Sequence, residues 1–239
     1  MHLHPEATRH LIDHNEEHVK SSEFIKDIVI GMSDGLTVPF ALAAGLSGAV
    51  DSTALVITAG IAEIAAGSIA MGLGGYLAGR AEIDHYDSEQ KREFYEVENL
   101  RDKEIAETKE IFTHMGLSAT TVDAAVEELA KDKEKWVKFM MKYELDLEQP
   151  DPKRARNSAF TIGVAYIVGG IIPLSPYFFT EHPHDGLIYS AIVTLISLFI
   201  FGYFKSKLTG QPLFKGALKV MAIGAIAAAA AYGIAKLIG

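Results

Sequence analysis

The chain has 239 residues, 49% of them apolar and 22% charged, with a formal net charge of −9 and a mean hydropathy of +0.17. Apolar and charged residues are segregated: residues 81–152 hold 20 acidic against 10 basic side chains, and the remainder is close to neutral. Cysteine is absent, which excludes disulfide frameworks, thiolate metal sites and cysteine nucleophiles, so any metal must be held by oxygen, imidazole or thioether.

Residues 1–22 form a polar, His-rich start. They lack the basic residue-plus-apolar-run pattern of a cleavable signal peptide, so insertion into a membrane would use internal helices. His10, His14 and His18 recur every four residues, and a solvated tail is the simpler reading than a weak metal site.

Five apolar stretches follow: Ile28 to Val50, Ala54 to Gly79, Ser158 to Phe179, Leu187 to Phe204, and about Gly216 to Ile238. A helix needs about 20 apolar residues to cross the hydrocarbon core, and four of the five reach that length. The expected fold is therefore all-α, with five transmembrane spans and a helical insertion between the second and third. The domains read as 1–22 tail, 23–80 spans one and two, 81–152 insertion, and 153–239 spans three to five. Arg80, Lys153, Arg154, Arg156, Lys205, Lys207 and Lys215 fall in alternate connections, whereas the loops at 51–53 and 180–186 have no Lys or Arg. The positive-inside rule then places the N-terminus and the insertion in the cytoplasm.

Span one carries Asp34 and span two Glu63, with no Lys or Arg inside either span to neutralise them. A carboxylate near a helix centre costs about 2.5–3.5 kcal/mol on insertion scales, so each should face a cavity, a partner or a cation. Pro39 lacks an N–H, and in a helix it leaves the carbonyl of Gly35, beside Asp34, without its usual donor. Met71 lies eight residues after Glu63, about 12 Å along the axis, and could line the same path. Its thioether suits softer transition metals, although a lone methionine in an apolar helix is more often packing. Gly67, Gly72, Gly75 and Gly79 are spaced for close helix approach.

The insertion reads as one long helix from Ala81 to about Met115, stopped at Gly116. A second helix is expected over Thr121 to Lys131 and a third over Lys133 to Leu147, ending before Pro150 and Pro152. On the long helix Glu93, Glu96, Glu104 and Glu107 fall within an arc of about 80°. On one straight helix Glu93 and Glu104 would stand about 16 Å apart, which allows two carboxylate pairs but no shared ion. A solvated face, balanced by Lys91, Arg92, Arg101 and Lys103, is the alternative. Met140, Met141 and Glu144 add a mixed thioether and carboxylate surface, which amphipathic packing would also explain. Glu82 and His85 make one Glu-x-x-His, half of the ferritin-like di-iron motif. The other Glu-x-x-His string, Glu181-His182-Pro183-His184, sits in the 180–186 loop with a proline inside it rather than along a helix, so no second helical copy is available, which argues against an iron-oxidising enzyme.

These residues resemble a known family, the vacuolar iron transporters, in the subgroup with a cytoplasmic metal-binding insertion. The resemblance runs over nearly the whole chain after residue 22. It rests on Ser33-Asp34-Gly35-Leu36-Thr37-Val38-Pro39-Phe40 with the Ala41 to Gly48 run after it, Ala59-Gly60-Ile61-Ala62-Glu63, Ser68 to Leu77, and Pro150-Asp151-Pro152-Lys153-Arg154-Ala155. It implies a homodimer with an ion path at its interface that exports Fe2+ from the cytosol in exchange for protons. The compartment would be the vacuole in a eukaryote, and the membrane the plasma membrane in a prokaryote. By the resemblance, Asp34, Glu63 and Met71 are pathway residues, and Glu93, Glu96, Glu104, Glu107, Met140, Met141 and Glu144 form the cytoplasmic metal cluster. The chain would have no permanently bound cofactor and would take Fe2+ as substrate. The ligand chemistry also accepts Mn2+, Co2+ and Zn2+. The expected partners are divalent ions, protons, the bilayer and a second copy of the chain, with no nucleic acid.

Overall fold

The computed structural model describes the backbone of residues 5–238 and the side chains of residues 23–238. The histidines at 10, 14 and 18 lie outside the described side chains. Among the described residues there is no strand. The helices are α1 (Pro5–Ala49), α2 (Thr53–Asn99), α3 (Arg101–His114), α4 (Ala119–Leu129), α5 (Lys133–Tyr143), α6 (Arg154–Leu174), α7 (Pro183–Leu208) and α8 (Leu213–Ile238), with a 3-10 turn at Ser175–Phe179. They form two compact units. One comprises residues 1–76 and 156–239, the other Leu77–Ala155, and the boundary falls within α2.

The first unit holds the membrane helices. Five helices are long and apolar enough to span: Glu23–Ala49, Thr53–Asn99, Arg154–Phe179, Pro183–Leu208 and Leu213–Ile238. The fourth stretch, only 18 residues by its apolar run, belongs to a 26-residue helix because Pro183 starts it a turn earlier and Lys205 and Lys207 extend it. Outward-facing side chains are apolar, with Phe160 74% and Ile69 71% exposed. Single exposed hydrophobes are ordinary on soluble proteins, but full rows of them on spanning-length helices fit hydrocarbon.

Lipid gives helices no hydrophobic drive to associate, so close contact relies on small residues. Gly31 and Gly35 of α1 press on the α6 backbone at Ile162 and Tyr166, and Gly169 of α6 faces Gly35 and Leu36 in return. On α2, Gly72 meets the Ala159 carbonyl and Gly75 meets Ile162 and Ser158. Polar side chains fasten the opposite end. The Thr53 hydroxyl donates to the Glu181 carbonyl at 2.7 Å, Ser190 donates to the Pro173 carbonyl at 2.7 Å, and Tyr177 and Ser47 hydroxyls lie 2.9 Å apart. A buried cluster of Ala43, Val56, Ile64, Leu174 and Tyr177 packs behind them.

The second unit has its own core of Tyr86, Val97, Trp136, Val137, Met140 and Met141. It departs from the expected single helix over Ala81 to Met115. Leu100 leaves the helical region (φ −124°, ψ 35°), α2 ends at Asn99, and α3 begins at Arg101. The break is local. The Asn99 amide donates to the Tyr95 carbonyl at 2.8 Å, and the Leu100 carbonyl accepts from the Lys103 and Glu104 N–H groups to start α3. Gly116, at φ +87°, ends the α3 segment in the left-handed region that glycine enters without strain. The next helix runs two residues earlier than expected, from Ala119. Asp132 caps α5 by accepting from the Lys135 N–H at 3.2 Å, and α5 stops at Tyr143 rather than Leu147, with Asp146 at φ 53°.

Candidate metal centre and transport pathway

The Leu100 break decides the geometry of the acidic residues. A straight helix would hold Glu93 and Glu104 about 16 Å apart. With α3 turned against the end of α2, carboxylate oxygens of Glu93, Glu104 and Glu144 lie within 4.8 Å of one another. The expectation of two separate carboxylate pairs on one stripe is therefore corrected, since residues from α2, α3 and the end of α5 converge on a single point.

Glu93 and Glu104 are 1% and 0% exposed, yet Glu93 Oε2 and both Glu104 oxygens have no hydrogen-bond partner. Buried carboxylates without partners are expensive, and such groups are usually paired or metal-bound. Burial raises the Glu93 carboxyl to about 7, with the Glu144 and Glu96 charges adding to it and Arg92 opposing. Glu104 is raised too, by burial first and then by Glu93 and Glu107. Glu144, although exposed, is also pushed up by desolvation and by Glu107. Three carboxylates facing one another, with Glu93 and Glu104 held up toward neutral pH and Glu144 raised as well, are a donor set suited to a hard or borderline divalent cation.

Glu96 and Glu107 form the rim. Lys103 Nζ lies 3.3 Å from Glu96, 3.2 Å from Glu107 and 3.9 Å from Glu104, while Arg92 reaches Glu89 at 2.6 Å, Glu96 at 3.5 Å and Glu93 at 3.8 Å. Met140 and Met141 are buried in the core of the unit rather than laid out on a surface. Met140 stands one turn before Glu144 on α5, and its sulfur lies 3.4 Å from the Thr108 hydroxyl. Glu82 and His85 are exposed and are not among the converging carboxylates; Glu82 lies 4.0 Å from Arg154.

In the membrane unit Asp34, Glu63 and Met71 are each half-buried. The Tyr166 hydroxyl of α6 donates to Glu63 Oε1, and Glu63 Oε2 is buried with no partner. Gly67, one turn after Glu63, leaves the space that the Tyr166 ring fills; a side chain there would overlap the phenol. Tyr166 also packs on Gly35, next to Asp34, so it stands between the two carboxylate helices. Sequence reasoning missed Tyr166, because a tyrosine in an apolar span carries no charge to flag it. Its hydroxyl, which needs a partner inside a membrane, was the available signal.

The VIT family model matches residues 25–236. The chain belongs to the VIT family. Vacuolar iron transporter 1 of Eucalyptus grandis is 52% identical over 233 residues, 98% of this chain and 94% of its own length. Vacuolar iron transporter 1 of Arabidopsis thaliana is 50% identical over 236 residues, 99% and 94% respectively. Protein CCC1 of Saccharomyces cerevisiae is 43% identical over 225 residues, 90% of this chain and 69% of its own. This VIT family member thus matches its plant relatives through the spans and the acidic unit alike.

Proposed function

We infer that this protein is a membrane transporter that carries Fe2+ out of the cytosol into the vacuole or an equivalent compartment, in exchange for protons. The observation that carries the reading is about 50% identity, over nearly the full length, to proteins named vacuolar iron transporters. The converging carboxylates and the unpartnered Glu63 oxygen supply the chemistry.

In this account the insertion lies in the cytoplasm, as does the N-terminus, and captures the ion. Glu93, Glu104 and Glu144 are the central ligands. Glu96 and Glu107 give up Lys103 to join them, and Met140 and Met141 offer thioethers. The ion then passes to Asp34, Glu63 and Met71. Ligation needs ionised carboxylates, so protons entering from an acidic compartment compete for Asp34 and Glu63 and promote release there. Tyr166 holds Glu63 in one orientation throughout. A second copy of the chain completes the path: the α2 face bearing Ile61, Ala62, Ala65, Ala66, Ile69 and Ala70 is exposed in one protomer, on the helix that carries Glu63 and Met71. Mn2+, Co2+ and Zn2+ share the ligand preferences and are expected to compete.

The test is metal flux into sealed proteoliposomes, with Asp34→Ala as the control variant. Flux by the native chain that the variant lacks supports the reading; equal flux by both overturns the pathway assignment.

A further inference from the structure

One buried hydroxyl links the two kinds of ligand in the insertion. Thr108 on α3 is fully buried, as are Trp136 and Met140 on α5. The Trp136 indole N–H donates to Thr108 Oγ1 at 2.8 Å. The single Thr108 hydroxyl proton is directed mainly to the Glu104 carbonyl at 2.6 Å, and the Met140 sulfur lies on the same oxygen at 3.4 Å. Arg101 stacks its guanidinium 5.1 Å from the Trp136 ring centre and donates to the Ala130 carbonyl at 2.9 Å, closing the indole from the other side. The indole has one donor, so its direction fixes how α5 turns against α3 at this level.

The Glu104 backbone carbonyl and the Met140 sulfur meet at this hydroxyl, and Glu144 follows Met140 by one turn. We propose that Thr108, held by the Trp136 indole, is the positioning residue that sets the Met140 thioether in register with Glu104 and Glu144, and that it thereby sets the preference of the cluster for thioether-accepting ions. The inference rests on the cluster being a metal site. Carboxylates alone serve Mn2+ well, whereas a thioether contributes more to a softer ion such as Co2+. Residues that orient ligands typically alter affinity by about 10- to 100-fold when lost. Removing the Thr108 hydroxyl should therefore weaken Co2+ far more than Mn2+.

The chain contains a single tryptophan, so emission from Trp136 reports on this unit within the full-length protein. Detergent-solubilised full chain is titrated with Co2+ and separately with Mn2+, following Trp136 emission, for the native protein, Thr108→Val, Thr108→Ser and Glu104→Gln. The expected result is a loss of Co2+ affinity of about 10- to 100-fold in Thr108→Val with little change for Mn2+, and native behaviour in Thr108→Ser, which keeps the hydroxyl. Equal losses for both ions, no loss for either, or a serine variant that behaves like valine would overturn the positioning role. Glu104→Gln separates the two levels of the argument. If it leaves both titrations unchanged, the metal site itself is refuted; if it weakens both while Thr108→Val does not change their ratio, only the inference about Thr108 falls.

Discussion

Replacing Glu93 by glutamine should stabilise the metal-free protein at alkaline pH and weaken its grip on metal. Glu93 is 1% exposed, and its carboxyl titrates near 7 rather than its ordinary 4.5. Because the folded state binds the proton more tightly than the unfolded chain, this group makes stability fall as pH rises from about 4.5 to about 7, with the loss complete above that. At 1.36 kcal/mol per unit the loss is about 3 kcal/mol at most, the opposing charge of Arg92 being already included in the shift. For a unit of this size that corresponds to a shift in melting midpoint on the order of 10 °C. The assay is a thermal melt of the full chain in detergent followed by Trp136 emission, with chelator, at pH 5 and pH 8. Glu93→Gln should melt higher than the native protein at pH 8 and nearly together with it at pH 5. Added Co2+ or Mn2+ should then raise the native midpoint far more than the variant's. A variant no more stable at pH 8, or stabilised equally at both pH values, would refute the claim that Glu93 is held as a strained, metal-ready carboxylate.

Three further outcomes follow from the same geometry. Binding of a divalent ion to the cluster should release protons between pH 6 and 8, and affinity should rise with pH across that window, because burial holds the Glu93 and Glu104 carboxyls up at about 7 and about 8 when metal is absent; calorimetry in two buffers of different ionisation enthalpy measures the release. Tyr166→Phe should slow Fe2+ flux about 10-fold or more, the scale of a lost hydrogen bond to a charged group, and Gly67→Ala should do the same by displacing the phenol that donates to Glu63. Asp34→Ala should abolish flux and leave the Trp136-reported titration of the insertion unchanged.

The five spans were legible because length and apolarity are properties of the sequence itself, and the fourth looked marginal only because its apolar core stops before its helix does. The Leu100 break was not legible. Asn99-Leu100-Arg101 contains neither proline nor glycine, and the acidic stripe continues in phase across it, so periodicity favours one straight helix. Tertiary packing around Trp136 and Val97 selects the break instead, and it changes the meaning of the glutamates from a stripe to a convergence. Glu93 and Glu104 could be singled out by spacing, but their burial could not be foreseen. The Tyr166–Glu63 bond joins residues 103 positions apart, and Thr108 shows its role only through partners on another helix. Uncharged polar residues that act through neighbours leave little trace in composition or period.

The central claim is coupled export, and the most direct measurement is Fe2+ uptake into proteoliposomes loaded with a pH-sensitive dye, with and without an imposed proton gradient. The account predicts uptake that rises when the lumen is acidic and is matched by proton efflux, both lost in Asp34→Ala. Fe2+ binding by the protein with no uptake under either condition would contradict it and leave the acidic unit as a metal buffer.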